Sequence, residues 1–178
     1  MLSGLGPHSN ADAGIAAPGT QVIIAAMTAA DVRRIVAISA GAVATMATPG
    51  RPNPPKHDPG DGFIMRHLLI RVARAAFGKV DTDLALMEDA LRDSGLDWTA
   101  VRPPRLTGKP LTGSYRTAYG HNLRRGLSVP RADVARFMLA VLDQPQSIGA
   151  SHRNRQLAGE LRQRWYRSTG RHPRKECT

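Results

Sequence analysis

Leu91-Arg-Asp-Ser-Gly-Leu-Asp-Trp-Thr-Ala-Val-Arg-Pro-Pro-Arg-Leu106 holds the end of a helix, a turn, a strand and the strand's termination. Ser94-Gly95 is a left-handed stop, because glycine takes a positive φ with no Cβ to clash. Leu96 to Arg102 is a short apolar run suited to a strand buried on both faces. Pro103-Pro104 closes it, since proline lacks the N–H that a ladder requires. A helix feeding directly into a doubly buried strand points to an α/β fold with a mostly parallel sheet.

Upstream, Leu84, Met87, Ala90 and Leu91 share one helix face, with Asp83, Glu88, Arg92 and Asp93 expected outside. This helix is expected to start after Gly78 and to follow a separate amphipathic helix over Phe63 to Phe77. Residues 49–62 carry five prolines and three glycines and read as a surface loop. Arg34-Ile-Val-Ala-Ile-Ser39 is a second doubly buried strand. Before it, Thr20 reads as the cap of a helix bearing Val22, Ile23, Ala26 and Met27, and Met1 to Gly19 as loop. Downstream, residues 105–129 read as loop and short strand pieces, with Tyr115 to Tyr119 extended. Pro130 opens a helix striped by Val134, Phe137, Met138, Val141 and Leu142, which Gln144-Pro145 stops. Two core strands are too few for a complete parallel sheet, so the chain reads as part of one.

The 178 residues are 42% hydrophobic, enough to bury a core, and 25 alanines against 4% aromatics predict one built from small aliphatic side chains. The net charge of +11 is unevenly spread: residues 151–178 carry +6 and the first 150 only +5. The excess therefore belongs to the tail, where Trp165 and Tyr166 among arginines offer a weak case for nucleic acid. A basic, poorly ordered extension over 149–178 is the plainer reading, and nucleic acid is not the expected partner. The single cysteine, Cys177, allows no intramolecular disulfide, which suits a reducing cytoplasm. No charged region of a secretory signal precedes Arg33, and the weakly polar stretch Ile35 to Thr48 is too short to span a bilayer. The six histidines show no metal-ligand spacing, so no metal is expected.

Three strings together resemble the atypical short-chain dehydrogenase/reductases: the opening stretch, Pro110-Leu-Thr-Gly-Ser-Tyr115, and Val129-Pro-Arg-Ala-Asp-Val-Ala-Arg-Phe-Met138. They are most similar to the NAD(P)H-binding branch that includes flavin reductase/biliverdin reductase B and the nitrogen-metabolite-repressor-like proteins. Val32 to Ala40 resembles the family's fifth strand and Leu2-Ser-Gly-Leu-Gly-Pro7 the end of its fourth. The resemblance covers residues 2 to about 148 and implies the C-terminal part of a doubly wound, Rossmann-like parallel sheet over 1–148. No three of the 17 glycines stand at Gly-x-Gly-x-x-Gly or Gly-x-x-Gly-x-x-Gly spacing. The first βαβ half, with its phosphate-binding turn, is therefore expected to be missing and the chain to be N-terminally truncated.

The resemblance implies NADP or NAD as cofactor and a small molecule as substrate. Leu5 and Gly6 match positions that pass beneath the cofactor. Ser39, with Ala40 after it, ends a strand at the edge where such sheets bind ligands, and its hydroxyl suits either polarising a substrate carbonyl or holding a nicotinamide carboxamide. Its bland alternative is a serine that caps the strand end through nearby backbone. Pro103, Pro104, Arg105 and Leu106 follow the other strand at the same edge. Arg105 stands where the flavin reductase group has histidine, and a permanent cation binds anions better than it donates protons. The Tyr-x-x-x-Lys pair of the classical enzymes is absent, and Leu84 stands where related bacterial sequences often have lysine, which weakens the case for a cofactor-ribose contact or proton relay from this helix. Ser39 and Arg105 are the catalytic candidates. Asp133 reads as a first-turn helix acid and nothing more. The expected activity is hydride transfer to a flavin or small carbonyl acceptor, with a non-catalytic NAD(P)-sensing protein as the alternative.

Overall fold

The computed structural model describes residues 1–7, 9–56, 70–119 and 128–156. Residues 63–69 of the helix read over Phe63 to Phe77, residues 57–62 of the loop read over 49–62, and the tail residues Trp165, Tyr166 and Cys177 lie outside them. The sheet has five strands: β1 (Leu2–Ser3), β2 (Arg34–Ile38), β3 (Asp97–Val101), β5 (Tyr115–Tyr119) and β7 (Ala150–Gln156). Their spatial order is β1-β2-β3-β7-β5, the first four parallel and β5 antiparallel to β7. β4 (Arg105–Thr107) and β6 (Ser128–Pro130) form a separate parallel pair.

Both central strands alternate as a doubly covered sheet requires. Ile35 and Ala37 of β2, with Trp98 and Ala100 of β3, face α1 (Ala16–Ala29) and α2 (Ile70–Asp93), where Met27, Leu84, Met87 and Leu91 complete one core. Val36 and Val101 face the other way, into a core made with Val129 and the α3 (Arg131–Leu142) residues Val134, Phe137, Met138 and Val141. Each of these α3 side chains belongs to the stripe read from sequence. Phe137 also meets Tyr115 edge to face at 5.6 Å.

Four readings change. First, α1 begins at Ala16, so Thr20 is not its cap but a buried residue within it. The N-terminus is capped from a distance: Gly14, Ala16 and Ala17 donate their backbone N–H groups to the Asp83 carboxylate at 2.9 to 3.0 Å. A carboxylate there satisfies orphan donors and meets the positive end of the helix dipole. Second, Asp83 is thereby buried rather than outside, and so is Glu88. Third, α2 runs unbroken through Gly78. Glycine costs a helix interior only about 1 kcal/mol, too little to interrupt one anchored in the core by Leu84, Met87 and Leu91. Fourth, β7 occupies residues 150–156, the start of the stretch read as a poorly ordered extension, and bridges β3 to β5.

Asp133 also does more than complement a dipole. It is fully buried and accepts from the Thr112 and Gly113 backbone N–H groups at 3.1 and 2.8 Å and from the Thr112 hydroxyl. Gly113 takes φ +65° in that turn. At the opposite end of the sheet, Arg34 donates to the carbonyls of Val141 and Asp97 at 2.9 and 2.8 Å and to Ser147 Oγ at 2.7 Å. One guanidinium so joins the C-terminus of α3, the start of β3 and the turn before β7. Burial lowers the pKa of Arg34, with Asp97 opposing. No helix among the described residues is long and apolar enough to cross a membrane.

Candidate functional site

β1, β2 and β3 run parallel, so their carboxyl ends open on one edge of the sheet. Leu5 and Gly6 follow β1, Ser39 and Ala40 follow β2, and Pro103 follows β3 by way of Arg102. The residues singled out from sequence therefore share an edge. Ser39 and Pro103 are buried, Ala40, Pro104 and Leu106 half-buried, and Arg105 exposed on β4. Leu106 joins the α3-side core, whereas Ala40 packs on the opposite one.

Leu5 turns toward α1: a Cβ on Gly19 would stand 2.5 Å from its Cδ2, so Gly19 makes room for it. A Cβ on Gly6 meets no described atom within 4 Å. The Leu5 amide donates to Ser3 Oγ at 3.4 Å, a long bond.

Beneath Ser39 lies a buried ionic group absent from the sequence reading. Glu88 on α2 and Arg102 after β3 are 1% and 3% exposed in their side chains. Arg102 Nε donates to Glu88 Oε1 at 2.7 Å, and Arg102 Nη2 donates to Glu88 Oε2, a two-pronged contact that matches the guanidinium fork to the carboxylate. The Ser39 hydroxyl donates to Glu88 Oε1 at 2.6 Å, and the Ser39 backbone N–H donates to the Val101 carbonyl at 2.7 Å. Glu88 thus ties the end of β2 to the end of β3.

A second set of charges flanks this one. Asp89 accepts from the Gly50 N–H at 2.9 Å and from Arg92 Nη1, and a Cβ on Gly50 would stand 2.8 Å from the Asp89 carboxyl carbon. Only glycine fits so close to that carboxylate. Burial works to raise the Asp89 pKa, yet hydrogen bonding from Thr48, Arg92 and Gly50 outweighs it and leaves the group below the ordinary carboxylate value. Arg51 donates to the Val43 and Met46 carbonyls, and its pKa is lowered by burial and then by repulsion from Arg102.

Glu88 was legible in principle. Leu84, Met87, Glu88 and Leu91 follow the i, i+3, i+4, i+7 pattern, so the charge lies within the apolar stripe. A lone acid there requires a buried partner, and Arg102 closes the neighbouring apolar strand. No group of three or more His, Cys, Asp or Glu side chains suited to a metal occurs among the described residues.

An open parallel sheet with helices on both faces, and polar side chains gathered past its strand ends, defines the Rossmann-like class of ligand-binding fold. The family model for NAD(P)H-binding proteins matches residues 2–145, and the chain belongs to that family, with NADP or NAD as its cofactor class. No curated protein sequence matches the chain. Among solved structures, it is similar to a Bacillus halodurans protein assigned as an NAD-dependent epimerase/dehydratase: TM-score 0.62, 22% identity, over 92% of this chain and 66% of that one. ChuY, an anaerobillin reductase from Escherichia coli O157:H7, has TM-score 0.62 and 21% identity over 89% and 64%. A short-chain dehydrogenase/reductase from Veillonella parvula DSM 2008, solved in complex with NADP, has TM-score 0.61 and 15% identity over 88% and 63%. At these identities the likeness is one of fold. The chain spans about two thirds of the length of each.

Proposed function

We propose that the chain supplies the nicotinamide-facing part of an NAD(P)H-dependent reductase acting on a flavin or a small carbonyl compound. The observation that carries this reading is the convergence of Ser39, Ala40 and Pro103 on the carboxyl edge of a sheet whose family binds NAD(P)H. The fit is to the nicotinamide end: a buried serine, a rigid diproline and an exposed arginine suit an amide-bearing ring and a polar acceptor. The pyrophosphate end has no glycine-rich turn in this sequence.

When bound, the dinucleotide supplies the hydride; the chain's own residues position and shield. Pro103 and Pro104 fix the backbone course past β3, so that Arg105 and Leu106 stand at a set distance from Ser39. Leu5 and Gly6 form the floor of the site. Arg105, exposed and permanently charged, suits an anionic group on the acceptor rather than proton donation. Rate acceleration then comes from orientation more than from acid catalysis. The test is turnover of flavin by NADPH, followed at 340 nm. Saturable turnover supports the reductase, binding without turnover assigns an NAD(P)-sensing role, and no binding up to millimolar NADPH overturns both for this chain.

A further inference from the structure

We propose that Glu88 and Arg102 are positioning residues that make Ser39 a hydrogen-bond acceptor, so that Ser39 recognises the amino group of the nicotinamide carboxamide and does not polarise a substrate carbonyl. This rests on the NAD(P)H reading above and decides between the two roles that a serine at this position can take.

Serine carries two donors, its backbone N–H and its hydroxyl. Both are engaged here: the N–H with the Val101 carbonyl at 2.7 Å, the hydroxyl with Glu88 Oε1 at 2.6 Å. Glu88 receives the Arg102 fork on both of its oxygens, and an ionised carboxylate can only accept. The direction of the Ser39 bond is therefore fixed: the proton lies on the Glu88 side, and Ser39 Oγ has only lone pairs to offer elsewhere. Turning the hydroxyl toward a substrate carbonyl would leave part of a buried carboxylate unsatisfied, an expensive exchange at 1% exposure. A carboxamide presents one carbonyl oxygen and one NH2 group. Of these, an acceptor selects the NH2.

Two NADPH analogues separate the roles. The reduced 3-acetylpyridine dinucleotide lacks the NH2 but keeps a carbonyl oxygen; the thionicotinamide dinucleotide keeps the NH2 but replaces that oxygen with sulfur. Their dissociation constants, and that of NADPH, are to be measured with the full chain by fluorescence or NMR titration, without substrate and without turnover. An acceptor Ser39 predicts that the acetylpyridine form binds about five- to tenfold more weakly than NADPH and that the thio form binds as NADPH does. Ser39→Ala abolishes that preference by weakening NADPH and the thio form alone. The ratio of constants is the deciding readout, because general loosening of the fold moves all three together. Ser39→Ala leaves the Glu88–Arg102 pair in place, so it tests the idea without removing a buried charge. A weakened thio form with an unchanged acetylpyridine form makes Ser39 a donor and overturns the proposal. So does a preference that survives in Ser39→Ala. Failure of all three dinucleotides to bind instead removes the NAD(P)H reading, and this proposal with it.

Discussion

Glu88 is accommodated at 1% exposure because Arg102 meets both of its oxygens. A buried pair of this kind adds little over a well-packed apolar pair, yet losing one member strands the other. Arg102→Ala is therefore expected to cost about 3–5 kcal/mol in urea unfolding, and the double variant Glu88→Leu/Arg102→Met to regain much of it. An additive double variant would show that the two side chains are not coupled. Asp89, held by the Gly50 N–H and by Arg92, gives a pH signature. Its pKa is depressed in the folded state, so its contribution is full above the unfolded carboxylate value and is lost as pH falls through the folded one. Asp89→Asn should lower stability at pH 7 by roughly 1–2 kcal/mol and shrink the gap to the parent protein below about pH 4. A gap that stays constant across that range would contradict the assignment.

At the scale of elements, α1 shows how one carboxylate can begin a helix. Asp83→Asn leaves three backbone N–H groups with a poorer acceptor and is expected to cost about 1–2 kcal/mol, with faster amide exchange confined to the first turn of α1. Uniform exchange along α1 would argue against a capping role. The same contact explains what sequence concealed. Thr20 had the right chemistry for a cap, but the true acceptor lies 67 residues from Ala16. β2, β3 and α3 were readable because apolar side chains recur at the period of each element. β7 was not: Ala150-Ser-His-Arg-Asn-Arg-Gln156 has no apolar alternation and reads as tail by charge alone. Of the candidate site, the edge was readable from the strand ends, while the ion pair beneath it joins positions 88 and 102 through a contact that no local pattern encodes.

Across the whole molecule, two cores share one sheet, and the sheet's far half depends on β7. Ending the chain after Ile148 would remove the partner of β5 and one of the two partners of β3. The shortened protein is expected to melt several degrees lower and to lose protection in Tyr115–Tyr119, even though α1, α2 and their core against β2 are untouched. Equal melting temperatures for the two lengths would return residues 150–156 to the status of an appendage.

The strand order carries a further consequence, for time instead of stability. β5 precedes β7 in the chain, yet among the described strands it joins the sheet through β7 alone. During synthesis, Tyr115–Tyr119 leaves the ribosome with no sheet partner among the described strands until residues 150–156 have followed, at least thirty residues later. Its backbone groups wait on water for that interval, and closure comes as one late, long-range event of the kind that slows folding. Pulse-labelled exchange should find β5 and β7 becoming protected in the same kinetic phase, after β2 and β3.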